Sequence, residues 1–162
     1  MSVSQPKLIV LCGLPGIGKT TDIVDYRKPG WFIYSTDDYL ELVAQSNGTD
    51  YNTVFEEYIK HATSYMNRQL SYAIQDRDNM IWDQTNLSRK KRSRILANFP
   101  ADYYKECWYY PVNARNHKRW QLNLTNRPGK TIPENVLQSM IKSIEVPIES
   151  EGFDQIVIKQ LL

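Results

Sequence analysis

Residues 7–20 read KLIVLCGLPGIGKT. Lys7 to Cys12 is a continuous apolar run, the pattern of a strand buried on both faces. The octet that follows, Gly13-Leu14-Pro15-Gly16-Ile17-Gly18-Lys19-Thr20, fills the spacing G-x-x-x-x-G-K-[ST] completely. Its glycines let the backbone curl so that successive N–H groups point inward at phosphate oxygens. The helix predicted from Thr20 adds its positive end. Lys19 then places an ammonium between the β- and γ-phosphates, and Thr20 offers a hydroxyl to Mg²⁺. Gly13 to Thr21 are thus the expected nucleotide-binding residues.

Outward from this loop, apolar runs alternate with amphipathic ones. Strands are predicted at Lys7–Cys12, Trp31–Ser35, Met80–Asp83, Glu106–Tyr110 and Gln155–Ile158. Helices are predicted over Thr20–Tyr26, from near Tyr39, and over Asn52–Gln75, Ser88–Asn98 and Ala114–Asn126. In the long one Val54, Tyr58, Ala62, Tyr65, Leu70 and Ala73 form the core-facing stripe. A last helix follows Thr131-Ile132-Pro133-Glu134, which has capping-box spacing, and carries Val136, Leu137, Met140, Ile141 and Ile144. Five strands separated by helices predict an α/β fold: a mainly parallel five-stranded sheet with helices on both faces. Ligands in such folds sit at the carboxyl ends of the strands, here after Cys12, Ser35, Ile81 and Tyr110.

With 162 residues, one domain over 1–162 is expected. The hydrophobic share of 41% and charged share of 23% are ordinary for a globular chain. No apolar run reaches the roughly 18 residues of a membrane span, and Met1 to Pro6 lacks the apolar stretch of a signal peptide. No membrane association is expected. Cys12 and Cys107 form no CxxC pair and read as buried thiols of a reducing, cytoplasmic compartment. His61 and His117 suggest surface or structural roles.

The net charge is only +2, yet Leu87 to Lys130 holds eleven Lys and Arg against Asp102 and Glu106. Such polarity suits contact with a polyanion on one face, or simply solvated helix faces. Arg89-Lys90-Lys91-Arg92-Ser93-Arg94 spreads around a helix, so its cations cannot all face one ligand. Arg115 and Arg119 are read as i,i+4 neighbours. Arg127 precedes Pro128-Gly129, and a loop so armed can close over a triphosphate as its terminal phosphoryl moves.

Two acidic positions follow strands. Asp37 of Asp37-Asp38 either accepts the proton of an attacking hydroxyl or caps the next helix. Asp83 either holds Mg²⁺ with Thr20 or is a polar strand end.

Four blocks then acquire a common meaning: Gly13 to Thr20, Thr36-Asp37-Asp38-Tyr39, Asp83-Gln84-Thr85-Asn86-Leu87, and Asn126 to Leu137. In order and spacing the chain resembles the kinase domain of the phage polynucleotide 5′-kinases, within the P-loop kinase-like family that also includes the nucleotide-binding domain of heterogeneous nuclear ribonucleoprotein U. The resemblance implies transfer of the γ-phosphate of ATP, or another nucleoside triphosphate, to the 5′-hydroxyl of DNA or RNA with Mg²⁺. It implies Asp37 as general base, Lys19 and Arg127 on the donor phosphates, a lid over about 114–131, and Thr85 and Asn86 near the acceptor. Leu40 stands where the phage enzymes carry an arginine for the acceptor's 3′-phosphate. Asn123 replaces a second lid arginine, for which Arg115 or Arg119 is the expected substitute. No D-x-D-x-T motif is present, so no 3′-phosphatase activity is expected. The scaffold's other implied uses are phosphorylation of a different hydroxyl, on a modified base, nucleoside, tRNA-linked group or small metabolite, and ATP-gated nucleic-acid binding without catalysis.

Overall fold

The computed structural model describes residues 4–160. Its centre is β1 (Lys7–Gly13), flanked on one side by β3 (Asn79–Trp82) and then β2 (Trp31–Tyr34), and on the other by β4 (Tyr104–Tyr110) and then β5 (Gln155–Ile158). Every pairing is parallel, giving the order β2-β3-β1-β4-β5. The apolar run dictates this position. Leu8, Ile9, Val10 and Leu11 are each at most 1% exposed, and burying such a side chain is worth about 1.5–3 kcal/mol, so only the central strand accommodates all four.

Alternate β1 residues feed two layers. Leu8, Val10 and Cys12 meet Met66, Leu70 and Ala73 of α3 (Tyr51–Gln75) and Ile95 of α4 (Arg89–Leu96). Ile9 and Leu11 share a core with Ile23, with Trp120 of α5 (His117–Thr125), and with Leu137 and Met140 of α6 (Glu134–Ser143). Leu40 and Ala44 zip α2 (Thr36–Ser46) to Val54 and Ala62 of α3. Both cysteines are buried free thiols. No helix among the described residues is long and apolar enough to cross a membrane.

Several local expectations are corrected. Helix α2 begins at Thr36, with Ser35 as its cap: the Ser35 hydroxyl accepts from the Asp38 amide at 3.1 Å. Asp37 and Asp38 therefore sit in its first turn and cap nothing. The helix after the phosphate loop is shorter, α1 (Lys19–Asp22) followed by a 3₁₀ turn. Tyr65 is 42% exposed, and Met66 takes the buried place. Helix α5 starts at His117 rather than Ala114, because Asn113 Oδ1 accepts from the amides of Arg115 (2.9 Å) and Asn116 (3.2 Å), a side-chain turn that competes with helix. Arg115 and Arg119 consequently share no helix face. No capping box forms at 131–134. Pro133 precedes α6 without a side-chain cap, and Thr131 Oγ1 accepts instead from Asn52 Nδ2 at 2.8 Å.

Candidate functional site

The phosphate loop leaves the carboxyl end of β1, and its shape is enforced on all sides. A Cβ on Gly13 would lie 2.8 Å from Tyr110 Cβ, so β4 admits only glycine there. Gly16 and Gly18 have φ of +79° and +110°, the left-handed region. The Gly13 amide donates to Thr85 O at 3.0 Å, tying the loop to the end of β3. Behind the loop, Trp120 Nε1 donates to Pro15 O (2.8 Å) and Asn123 Nδ2 to Gly16 O (3.0 Å). Asn123, which the resemblance sets in place of a second arginine, braces the loop.

Lys19 is 8% exposed. Its ammonium donates to the carbonyls of Gly13 and Leu14, the latter at 3.2 Å. Burial pushes its pKa down to about 8; the charges of Asp83, Cys12 and Asp37 work against that, and Arg127 adds to it. Asp83, one residue beyond β3, is pushed up to about 6 by burial, opposed by Lys19 and reinforced by Asp38 and Asp37. Burial thus drives both groups toward neutrality while each favours the charge of the other. Asp83, Asp37 and Arg127, from three other segments, all act on the charge of Lys19, and Asp37 acts on that of Asp83 as well.

Asp37 is half-exposed and directed by two neighbours to which the sequence motifs assigned no role. Tyr51 Oη donates to its Oδ1 at 2.7 Å, and Lys130 Nζ lies 3.9 Å from its Oδ2. Lys130 also pairs with Glu41 and stands 4.7 Å from the Tyr51 ring centre. Asp38 is taken up by Arg27, which donates Nη1 and Nη2 at 2.7 and 3.3 Å. Of the two adjacent carboxylates, Asp37 is the one without a two-nitrogen guanidinium clamp.

Arg127 Nη1 is buried and has no hydrogen-bond partner among the described residues. An unpaired buried donor of this kind costs about 1–3 kcal/mol, and a phosphate oxygen would satisfy it. The loop's glycine backbone, Lys19 and this orphaned nitrogen fit a triphosphate. Thr20 and Asp83 fit Mg²⁺, which is normally held by one or two protein groups plus phosphate oxygens. Arg119 lines a cleft of about 330 Å³ beside the loop, with Gly18, Thr21, Trp120 and Asn123. Arg115 is exposed in the turn before α5 and is not among the residues lining this cleft.

Asn86 is not placed to touch an acceptor. It is 1% exposed, has φ of +48°, and donates Nδ2 to Leu11 O (2.7 Å), Trp82 O (3.3 Å) and Gln84 O (3.3 Å). Its role is to stitch the ends of β1 and β3, so its assignment to the acceptor is corrected. Thr85 remains half-buried at the loop's edge. Tyr51, Lys130 and Glu41 escaped sequence reasoning, since nothing local marks a tyrosine after a helix cap as the neighbour of a carboxylate 14 positions earlier.

A family model described as an AAA domain matches residues 8–147. The L-seryl-tRNA(Sec) kinase of Methanococcus maripaludis is 26% identical over 155 residues, covering 91% of this chain and 56% of that protein. A chain in the structure of the Pnkp1/Rnl/Hen1 RNA repair complex superposes with a TM-score of 0.63 at 18% identity, over 88% of this chain and 45% of that one. A fungal RNA kinase gives 0.57 at 14% identity, over 98% and 77%. The chain therefore spans about half the length of the curated relative and of the repair-complex chain.

Proposed function

The chain belongs to the AAA domain family, has a P-loop kinase-like fold, and on that premise we propose that it transfers the γ-phosphoryl group of ATP to the 5′-hydroxyl end of a DNA or RNA strand. The observation that carries this reading is a buried Lys19 held by the phosphate-loop carbonyls, with the charges of Asp37 and Arg127 both acting on it. A phosphate loop alone needs no carboxylate at that place.

The loop amides and Lys19 hold the β- and γ-phosphates, and Arg127 satisfies its orphaned nitrogen on the donor. Bound Mg²⁺, held by Thr20 and Asp83, would neutralise phosphate charge. The acceptor oxygen forms the new P–O bond as the bond from the γ-phosphorus to the β–γ bridging oxygen breaks, leaving ADP. Its proton passes to the Asp37 carboxylate, which Tyr51 orients. The work is positioning and charge stabilisation.

Leu40 favours a second reading. It is 0% exposed and packs between α2 and α3, so no cation at that position meets a 3′-phosphate. A different hydroxyl, such as one on a tRNA-linked group, is the alternative; the named activity of the curated relative is of that kind. γ-Labelled ATP with a panel of 5′-hydroxyl DNA, 5′-hydroxyl RNA, nucleosides, modified-base DNA and charged tRNA decides between them. Label on the 5′ end supports the first reading, and label only elsewhere overturns it.

A further inference from the structure

Helix α4 sorts its cations. Arg92 points inward, 0% exposed, and donates Nε and Nη2 to the Glu151 carboxylate at 2.8 and 3.1 Å. Arg89 lies 3.9 Å from Glu145 and 4.0 Å from Glu151. Lys91 and Arg94, three residues apart and so on one face, turn the other way. They line an open groove of about 630 Å³ between α3 and α4.

The floor of that groove is Tyr34 and Trp82, stacked with centroids 3.8 Å apart, and its walls include Asn67 and Asn98. No carboxylate lines it, and neither cation has an acidic partner among the described residues. Lys91 is held below its ordinary pKa by burial and by the like charge of Arg94. Two cations without an acidic partner, at the rim of a groove lined by aromatic, aliphatic and amide side chains, suit an anion that also carries flat apolar rings.

The groove also leads to the candidate centre. Tyr34 directly precedes Ser35-Thr36-Asp37, and Trp82 directly precedes Asp83. Trp82 Nε1 donates to Gln84 Oε1 at 3.0 Å, and Gln84 Nε2 to Thr36 Oγ1 at 3.2 Å. These two bonds join the floor of the groove to the first residue of α2, next to Asp37 in sequence.

We propose that the α3–α4 groove is a secondary subsite for a single-stranded polynucleotide, with Lys91 and Arg94 binding backbone phosphates downstream of the 5′ end. This deepens the reading given above and rests on it for the direction of the strand.

The test is fluorescence anisotropy with a 3′-labelled oligonucleotide of about ten nucleotides, a length in the range such sites span, titrated at several salt concentrations. Each phosphate contact on single strands contributes about 0.7 to the slope of log K against log salt. Lys91→Ala/Arg94→Ala should weaken binding severalfold and flatten that slope by about 1.4. Lys60→Ala/Lys142→Ala, which removes equal charge from α3 and α6, should change neither. Wild-type affinity and slope in the groove variant overturn the subsite, as does a wild-type protein that does not bind the strand. Competition by polyglutamate as strong as by unlabelled strand would assign the groove to an acidic protein segment instead. Binding is read without catalysis, so a protein that binds through the groove yet labels no 5′ end sinks the 5′-end kinase reading and leaves the subsite standing.

Discussion

The Tyr51 hydroxyl donates to Asp37 Oδ1 at 2.7 Å, joining the first turn of α3 to the first turn of α2. The contact leaves Asp37 Oδ2 as the free end of the carboxylate, with Lys130 Nζ 3.9 Å away. Asp37→Ala should lower transfer by about 10²–10⁴-fold, the usual contribution of a positioned base, while ATP binding stays near wild type. Tyr51→Phe should reduce kcat severalfold at unchanged KM for ATP, since it loosens the carboxylate and touches no donor site. Loss of ATP binding in Asp37→Ala would make that residue a scaffold group.

The pairing with Tyr51 marks where sequence legibility ends. The loop, the five strands and the acids after β2 and β3 were readable because each is a local pattern: an apolar run, a glycine spacing, a carboxylate after a strand. Arg92 was not. In a run of six residues holding five cations it reads as surface, and its burial depends on Glu151, 59 positions later. Asn86 likewise looks like a polar site residue until its amide is seen to bind the carbonyls of Leu11 and Trp82. Buried polar groups are set by partners distant in sequence, and a one-dimensional pattern does not contain them.

Arg92 therefore supports a stability prediction. Removing one member of a buried ion pair costs about 3–5 kcal/mol, so Arg92→Ala should unfold at markedly lower urea concentration. Arg92→Met/Glu151→Gln, which leaves no unpaired charge, should recover part of the loss. Equal destabilisation by the single and double variants would deny the pair this role.

Arg127 is expected to behave in the opposite way. Its buried Nη1 has no hydrogen-bond partner among the described residues, so Arg127→Ala should leave thermal stability unchanged or slightly raised. The transfer rate should fall about 10²–10³-fold, as when one preorganised donor is removed, and acceptor affinity should change little. A defect confined to acceptor affinity contradicts its place on the donor.

Nucleotide-free stability should carry a pH signature of Asp83. Its pKa is raised from 3.8 to about 6, so between these values the folded state holds a proton that the unfolded chain has released. Stability is full below the lower value and falls as pH rises to about 6, by at most about 3 kcal/mol and less for the water that still reaches the group. Lys19 acts at the other end: with its pKa lowered from 10.5 to about 8, stability is lost as pH falls through that window. Urea titrations across pH 4–6 should show the first slope in wild type and not in Asp83→Asn. An identical slope in both would place the titrating group elsewhere.

Gly129 holds the turn after Arg127 against the helix that carries Tyr51. Its φ is +71°, and a Cβ there would stand 2.5 Å from Asp50 Cβ. Asp50 cannot retreat easily, because its carboxylate caps α3 by accepting from the Thr53 amide at 2.9 Å. Gly129→Ala must therefore lift the turn, breaking the 2.9 Å bond from Asn52 N to Gly129 O. Lys130 would leave Asp37, and Arg127 would shift at the donor. The left-handed backbone alone costs about 1–3 kcal/mol for a residue with a side chain. Gly129→Ala should lose both stability and kcat, whereas Lys130→Ala, which keeps the turn, should lose less of each. If Gly129→Ala melts and turns over like wild type, the turn is not docked on α3 when the protein works, and the contacts of Lys130 with Asp37 and Tyr51 belong to a resting arrangement.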